Sequence, residues 1–281
     1  MNYYKFIRAQ NKQNALILDI DDSVLPNSYF NLIKLNRGLS SSYKLPGHES
    51  LVVILSGSAD VKIDAEAYNN VGKRDNIWSG KAEAVYAGTN SGVTITAKTD
   101  NTEIAVAGGK CDQYFSSFRI TPDEVEMVDV GSGDTHSRRR IFHILGHNAK
   151  GRAGNLLVSE LYADEGCWSG YPPHKHDTDN YPEESDFEEI YHYRFNPESG
   201  FGGQFCFKDE SEHTAFMTRN GDTFAFSQGY HPTVTSPGHA GYIFTILVGK
   251  NTRSLIQNFQ EEHRHLMNRI PGINDMRDKF K

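Results

Sequence analysis

Pro173-His174-Lys175-His176-Asp177, followed after a carboxylate-rich loop by Glu188-Glu189-Ile190-Tyr191 and then by Gly229-Tyr230-His231-Pro232, is the part of this chain whose reading decides the rest. Neutral imidazoles together with one carboxylate are a ligand set that divalent first-row metals favour. On a strand, side chains two residues apart share a face, so His174 and His176 can converge on one ion. A plainer reading takes them as surface histidines beside a turn, because Pro172 and Pro173 precede them and Asp177 follows. The strand that comes next argues for the metal.

Residues 189 to 195 read Glu-Ile-Tyr-His-Tyr-Arg-Phe, a composition that suits a pleated surface. Period-two alternation sets Glu189, Tyr191 and Tyr193 on one face and Ile190, His192 and Arg194 on the other. A carboxylate that shares a face with two tyrosines is where a barrel interior presents a third ligand. Asp177, Asp179, Glu183, Glu184, Asp186 and Glu188 compete for that role, and face parity favours Glu189. Glu188 is expected to point outward, and Lys175 and Arg194 to lie away from the ligands. Downstream, Asn220-Gly221-Asp222 is a hairpin signal, and Thr223-Phe224-Ala225-Phe226 reads as a strand that delivers His231 just past Gly229. Two hairpins can therefore bring His174, His176, Glu189 and His231 together.

This arrangement resembles the cupin pattern, in which a Gly, His-x-His and Glu on one hairpin are completed by a His on a second hairpin opening with Gly-Asp. Gly170, His174, His176, Glu189, Gly221 and His231 fall on those roles in order. The chain departs from the pattern in the long insertion 177–188 and in having Asn196 where a glycine is usual. The wider segment is similar to the 5-deoxy-glucuronate isomerases of inositol degradation. The stretches that carry the likeness are Pro173 to Asp177, Glu188 to Tyr191, Tyr193-Arg194-Phe195, Gly200-Phe201-Gly202 with Gln204, and Gly229 to Pro232. Pro46-Gly47-His48-Glu49 and Val53-Ile54-Leu55-Ser56-Gly57 match the amino-terminal half more loosely.

The resemblance implies an all-β bicupin with a short carboxy-terminal helix. It also implies an aldose-ketose isomerase that converts 5-deoxy-glucuronate to 2-deoxy-5-keto-gluconate in myo-inositol degradation. A Lewis-acidic ion can bind a carbonyl and its neighbouring hydroxyl and stabilise the enediolate formed when the C2 proton leaves. Zinc suits the ligand set, as do iron, manganese, cobalt and nickel. The proton-transferring base is not evident. Tyr191, Tyr193, Gln204 and Arg140 are candidates for the pocket, and one arginine of Arg138-Arg139-Arg140 for binding a substrate carboxylate through its planar fork. The same ligands would also serve a metal-dependent oxygenase, or a non-enzymatic sugar-acid-binding cupin.

Composition excludes other classes. The net charge of −7 argues against a nucleic-acid partner, whose phosphates call for a concentrated basic surface. The longest apolar runs, Leu51 to Leu55 and Ile243 to Val248, are strand length, well short of the ~20 residues that cross a bilayer, so no membrane partner is expected. The first residues, Met-Asn-Tyr-Tyr-Lys-Phe-Ile-Arg, lack an apolar signal core, and a cytoplasmic enzyme is expected. A small-molecule sugar acid is the expected partner, with room for a homo-oligomer. Cys111, Cys167 and Cys206 are far apart and form no Cys-x-x-Cys pair, which suggests reduced thiols and neither a disulfide framework nor a thiolate metal site, Cys206 reading as a small buried apolar residue.

Short apolar strands punctuated by glycine run from residue 15 to 108: Leu51 to Leu55, Ala59 to Ile63, Ala84 to Tyr86, Val93 to Ala97 and Glu103 to Ala107. The expected division is an amino-terminal degenerate cupin-like barrel over 1–110, a connection over 111–137, a metal-binding barrel over 138–250, and a helix and tail over 251–281. If Gly57 closes the first motif, the position of its metal-binding Glu is Ser50, and no His-x-His precedes it. His48 and Glu49 then read as structural or interface residues. The tail from Arg253 to Arg269 reads as an amphipathic helix stopped by Pro271, on which His263 and His265 cannot face one ion.

Overall fold

Strand His48–Ser56 is buried on both faces from end to end, only Ser56 being partly exposed, as its unbroken run Leu51 to Leu55 requires. It is a middle strand of a six-stranded antiparallel sheet in the order Phe118–Ile120, Glu83–Ala87, His48–Ser56, Thr102–Lys110, Ser28–Leu35, Asn14–Leu18. A four-stranded sheet, Ser40–Lys44, Gly92–Ala97, Ala59–Ile63 and Glu66–Val71, supplies the other layer. Between the two sheets pack Val52, Ile54, Val85, Ile104 and Val106 from one and Val61, Ile63, Val93 and Ile95 from the other. In each strand these residues recur every second position. A slip of one residue would carry the whole apolar set out of the core, so the register is strongly specified.

All five strands expected in the first half are present. Gly57 makes the turn between His48–Ser56 and Ala59–Ile63 at φ +80°, and a Cβ there would lie 2.4 Å from Thr99 Oγ1. Only glycine fits that turn without displacing its neighbours.

The computed structural model describes residues 3–208 and 213–279. It divides into two units: Gln10–Glu126 with Ile144–Val158, to which the sheets above belong, and Met1–Ala9 with Met127–His143 and Ser159–Lys281. These boundaries differ from the expected ones in identifiable places. Strand Tyr4–Ile7 pairs with Thr223–Phe226, which lies far along the chain. The stretch expected to be a connection contributes two edge strands, Phe118–Ile120 and Glu126–Val130. Both are short and partly exposed, and Pro122 interrupts the polar segment between them, so neither carries a long apolar pattern.

The second unit repeats the plan. Its large sheet runs in the order Tyr4–Ile7, Thr223–Phe226, Phe187–Asn196, Ala240–Gly249, Leu156–Ala163, Arg139–Leu145, Glu126–Val130, and a smaller one joins Trp168–Ser169, Thr233–Thr235, Phe201–Phe207 and His213–Arg219. Tyr191, Tyr193, Phe195, Phe224, Phe226 and Ile243 from the large sheet meet Cys206 and Phe216 from the small one. The fold is therefore all-β, built of two two-layered units, with helix confined to short pieces.

The tail differs from the expected continuous helix. Residues 253–257 are irregular, Asn258–Phe259 is a strand paired with His174–Lys175, and helical structure follows as a 3-10 segment Glu261–Asn268 and an α-helix Ile273–Lys279. The amphipathic pattern is real, but pairing with the histidine-bearing strand takes over its first third. No helix among the described residues is long and apolar enough to cross a membrane.

Candidate metal centre

Three buried histidines form the centre of the second unit. One ring nitrogen each of His174, His176 and His231 lies within 4.8 Å of the other two. The sequence brings them there by two devices. The short strand His174–Lys175, tied to Asn258–Phe259, presents the first pair, and the turn after Thr223–Phe226 delivers His231. Each ring is oriented by a backbone carbonyl: Nδ1 lies 3.1 Å from Pro172 O in His174, 3.2 Å from Phe187 O in His176, and 2.9 Å from Gly229 O in His231. A carbonyl can only accept, so each Nδ1 carries the hydrogen, which leaves Nε2 of His174 and His231 as lone-pair donors.

Glu189 completes the group. Its Oε2 is 2.9 Å from His176 Nε2 and 3.3 Å from His231 Nε2. Alternation along Phe187–Asn196 turns Glu189 and Tyr191 toward the histidines, and Tyr191 donates its hydroxyl to Glu189. Burial pushes that phenol well above its ordinary pKa, the Glu189 charge adding to the effect, so Tyr191 stays a hydrogen-bond donor at neutral pH. Glu188 faces the other way, yet it is buried at 1% exposure, which corrects the expectation of an outward side chain. The large sheet is covered on both faces here, so parity predicts direction but not exposure.

Four carboxylates of the insertion, Asp177, Asp179, Glu184 and Asp186, are committed elsewhere. Lys175 Nζ donates to Asp177 Oδ1 at 2.6 Å and to both oxygens of Glu184 at 2.8 Å. Asp177 also accepts from Gly229 N at 2.8 Å, which pins the turn that carries His231. Asp186 pairs with Lys250, and Asp179 accepts from Asn251. Lys175 and Arg194 stay away from the histidines, Arg194 donating to His192 at 3.0 Å.

The electrostatics of the centre suit a cation. Burial, reinforced by its histidine neighbours, depresses the His174 pKa to about 3 and lowers that of His231 well below its usual value. Burial alone would lower His176 too, but the Glu189 carboxylate more than offsets it, and the net direction is up. Two neutral imidazoles and one imidazole–carboxylate pair holding a proton are the forms that a divalent ion can bind, displacing that proton. His231 Nε2 is buried with no hydrogen-bond partner of acceptable geometry, the kind of orphaned lone pair that a metal would occupy. The donor set and its orientation thus fit a first-row divalent metal.

A pocket opens beside the group, lined among others by Arg139, Tyr171, His174, His176, Glu189, Tyr191 and Gln257. Of the other expected pocket residues, Tyr193 and Gln204 are not at this cavity. The Tyr193 hydroxyl donates to Gln204 Oε1 at 2.5 Å, and Gln204 Nε2 donates to the backbone oxygens of Phe205 and His231. They brace the turn under His231 and have no free group for a sugar hydroxyl. Arg140 is exposed, 3.9 Å from Asp164, and the inward member of the arginine run is Arg139. Alternation with Ile141, which also lines the cavity, was the available signal. Gln257 and Phe259 come from the tail, where nothing in the local sequence marks a pocket wall.

Cys206 is fully buried in the core and its thiol is pushed up to about 12 by that burial, while Cys111 and Cys167 are free and buried. In the first unit no comparable histidine group exists among the described residues. Glu49 there is fully buried and accepts from Gly154 N, Asn155 N and Leu156 N at 2.6–2.7 Å, with a further short bond from the Tyr86 hydroxyl. Its role is structural.

Fold and site together define a bicupin with one histidine-rich centre among the described residues. The chain belongs to the KduI/IolB family, whose model matches residues 3–266. It is 33% identical over 222 residues to the 5-deoxy-glucuronate isomerase of Geobacillus kaustophilus, covering 78% of this chain and 79% of that one. The 5-deoxy-glucuronate isomerase of Lacticaseibacillus casei is 30% identical over 251 residues, with 88% and 91% covered. Among solved structures, an IolB-like protein from Salmonella typhimurium superposes with a TM-score of 0.85 at 27% identity, covering 95% of this chain and all of that one. Bacillus subtilis oxalate decarboxylase, at 12% identity, a TM-score of 0.60 and 99% and 86% coverage, shares the fold alone.

Proposed function

We propose that this protein is a metal-dependent 5-deoxy-glucuronate isomerase, acting in the cytoplasm on a sugar acid of inositol breakdown. The observation that carries the reading is the convergence of His174, His176 and His231 around the Glu189 carboxylate, in a chain that matches curated isomerases of that name along most of its length. His174, His176, Glu189 and His231 would hold the ion, zinc being the first choice for three imidazoles and a carboxylate. When bound, it would supply Lewis-acid stabilisation of the negative charge that develops on the hydroxycarbonyl oxygens during transfer of the carbonyl from C1 to C2.

The chain's own residues do the rest. Backbone carbonyls of Pro172, Phe187 and Gly229 fix the imidazole orientations. Tyr191 holds Glu189 in place and, with its pKa raised, does not compete as an anion. Leu247, Leu255, Phe259 and Met276 in the cavity wall exclude water, which strengthens every charge interaction within it. Removal of the C2 proton then gives an enediolate, and its return to C1 gives the ketose.

Proton NMR of the purified protein with 5-deoxy-glucuronate, with and without air, tests this. Conversion to 2-deoxy-5-keto-gluconate at equal rates in both conditions is the expected result. Oxygen consumption would point to an oxygenase, and absence of turnover by metal-replete protein to a binding role.

A further inference from the structure

Arg139 opens strand Arg139–Leu145 and is buried at 2% exposure, one of the largest fully buried side chains of the protein. Its neighbours in sequence are paired in the ordinary way: Arg138 with Asp129 and Asp164, and Arg140 with Asp164. Arg139 has no carboxylate within ion-pair distance among the described residues. Nη1 donates to Ser137 O and Nη2 to Tyr171 O, each at 2.9 Å, while Nε, also buried, has no partner. Two of the five guanidinium donors are thus committed and hold the plane still. Three donors remain, the buried Nε among them.

A desolvated, uncompensated cation is costly to fold around and is ordinarily paired or bound to an anion. Glu189, the acid that lines the cavity, is engaged by His176 and Tyr191. The open counterion position therefore belongs to a ligand, and the cavity that Arg139 lines is the one beside the three histidines. A planar fork held by two backbone carbonyls matches a carboxylate bidentately.

We propose that Arg139 binds the carboxylate of the substrate and is the residue by which this site selects sugar acids over neutral sugars. The proposal rests on the reading of the site as one for a sugar acid, and it assigns to Arg139 what the outward Arg140 cannot do. Arg139 is a specificity residue; it touches the ligand's acid group and not the reacting carbons.

Calorimetric titration of metal-loaded protein with D-glucuronate and with its neutral amide, D-glucuronamide, tests the proposal. Wild type should bind the acid at least about tenfold more tightly than the amide, the factor expected for charge-assisted hydrogen bonds. Arg139→Met should retain one metal per chain by elemental analysis and lose that preference, Arg139→Lys should keep part of it, and Arg140→Gln should keep all of it. Equal affinity of wild type for acid and amide, weak or strong, would overturn the proposal without recourse to any variant. So would an unchanged preference in a folded Arg139→Met protein. If the acid preference depends on Arg139 but 5-deoxy-glucuronate is not turned over, the anchor stands and the isomerase reading fails.

Discussion

Gln257, carried by the tail, donates its side-chain amide to Nε2 of His174 across 2.9 Å, while its own Oε1 is buried without a partner. The lone pair it engages is the one that His174 would offer to a metal, since Nδ1 is held by Pro172 O. Metal binding therefore replaces this hydrogen bond and frees both ends of the amide beside the cavity. Gln257→Leu should keep one metal per chain and bind it as tightly as wild type or up to about tenfold more tightly, because a competing hydrogen bond is gone. Elemental analysis and competition with a chromogenic chelator measure both quantities. Loss of the metal would make Gln257 a ligand instead.

The same centre predicts how its neighbours divide the labour. Purified protein should carry close to one divalent ion per chain, and the double substitution His174→Ala, His176→Ala should remove it. Glu189→Gln should weaken metal binding by tenfold or more, on the order of the loss of one charged ligand. Glu188→Gln should leave the metal in place and lower stability by about 1–3 kcal/mol, since the side chain that it changes is buried on the opposite face. Two ions per chain, or equal metal loss at both glutamates, would contradict the arrangement described.

Much of this centre was legible in the sequence because its information is local. His174 and His176 sit two apart, Glu189 falls on the inward parity of Phe187–Asn196, and a hairpin signal precedes His231, so period and spacing suffice. The same logic placed the strands of the first unit, whose apolar residues alternate. It failed where position depends on distant partners. Tyr4–Ile7 reads as an ordinary amino terminus until Thr223–Phe226 is there to pair with it. Gln257 lies in a stretch with helical periodicity, and only its neighbour strand Asn258–Phe259, paired with His174–Lys175, shows why that stretch is extended. Arg139 and Arg140 are chemically identical in the sequence, and one residue of register decides which of them is inside.

The thiols offer a test of core packing. Burial raises the pKa of Cys206 to about 12 and raises that of Cys111, where the Glu49 charge adds to the effect. An acid whose pKa is raised stays protonated through neutral pH, and the thiolate is the reactive form. Native protein at pH 8 should show almost no labelling by a disulfide reagent over minutes, whereas unfolding in guanidinium should expose all three thiols. Rapid native labelling of any one would place it outside the packed interior.

Glu49 predicts a different outcome from a catalytic acid. Three backbone amides and the Tyr86 hydroxyl converge on its carboxylate, so a neutral amide in its place would set N–H groups against N–H donors. Glu49→Gln should lower stability by about 3 kcal/mol, the scale of a buried charged hydrogen-bond acceptor left mismatched. The metal content of the folded protein should be unchanged. Denaturant unfolding with elemental analysis of the same sample checks both, and loss of metal with no change in stability would refute the structural role.

The final prediction concerns the fate of one hydrogen. If the C2 proton leaves to form an enediolate, it can exchange with solvent before a proton is returned to C1, and product formed in deuterium oxide should carry deuterium at C1. A direct hydride shift would move the hydrogen without exchange, and substrate deuterated at C2 would keep its label. The donor set of the centre favours the first route: a divalent ion held by the three imidazoles and Glu189 would stabilise the negative charge of an enediolate more than the nearly neutral transfer of hydride. The residue that carries the proton must reach C2 from the cavity wall, where Glu189 and Tyr191 are the titratable acids and are already hydrogen-bonded to each other. Partial solvent label at C1 is therefore expected, its extent falling as turnover outpaces exchange. Complete retention of substrate deuterium with no solvent label would establish the shift and leave the isomerase reading in place.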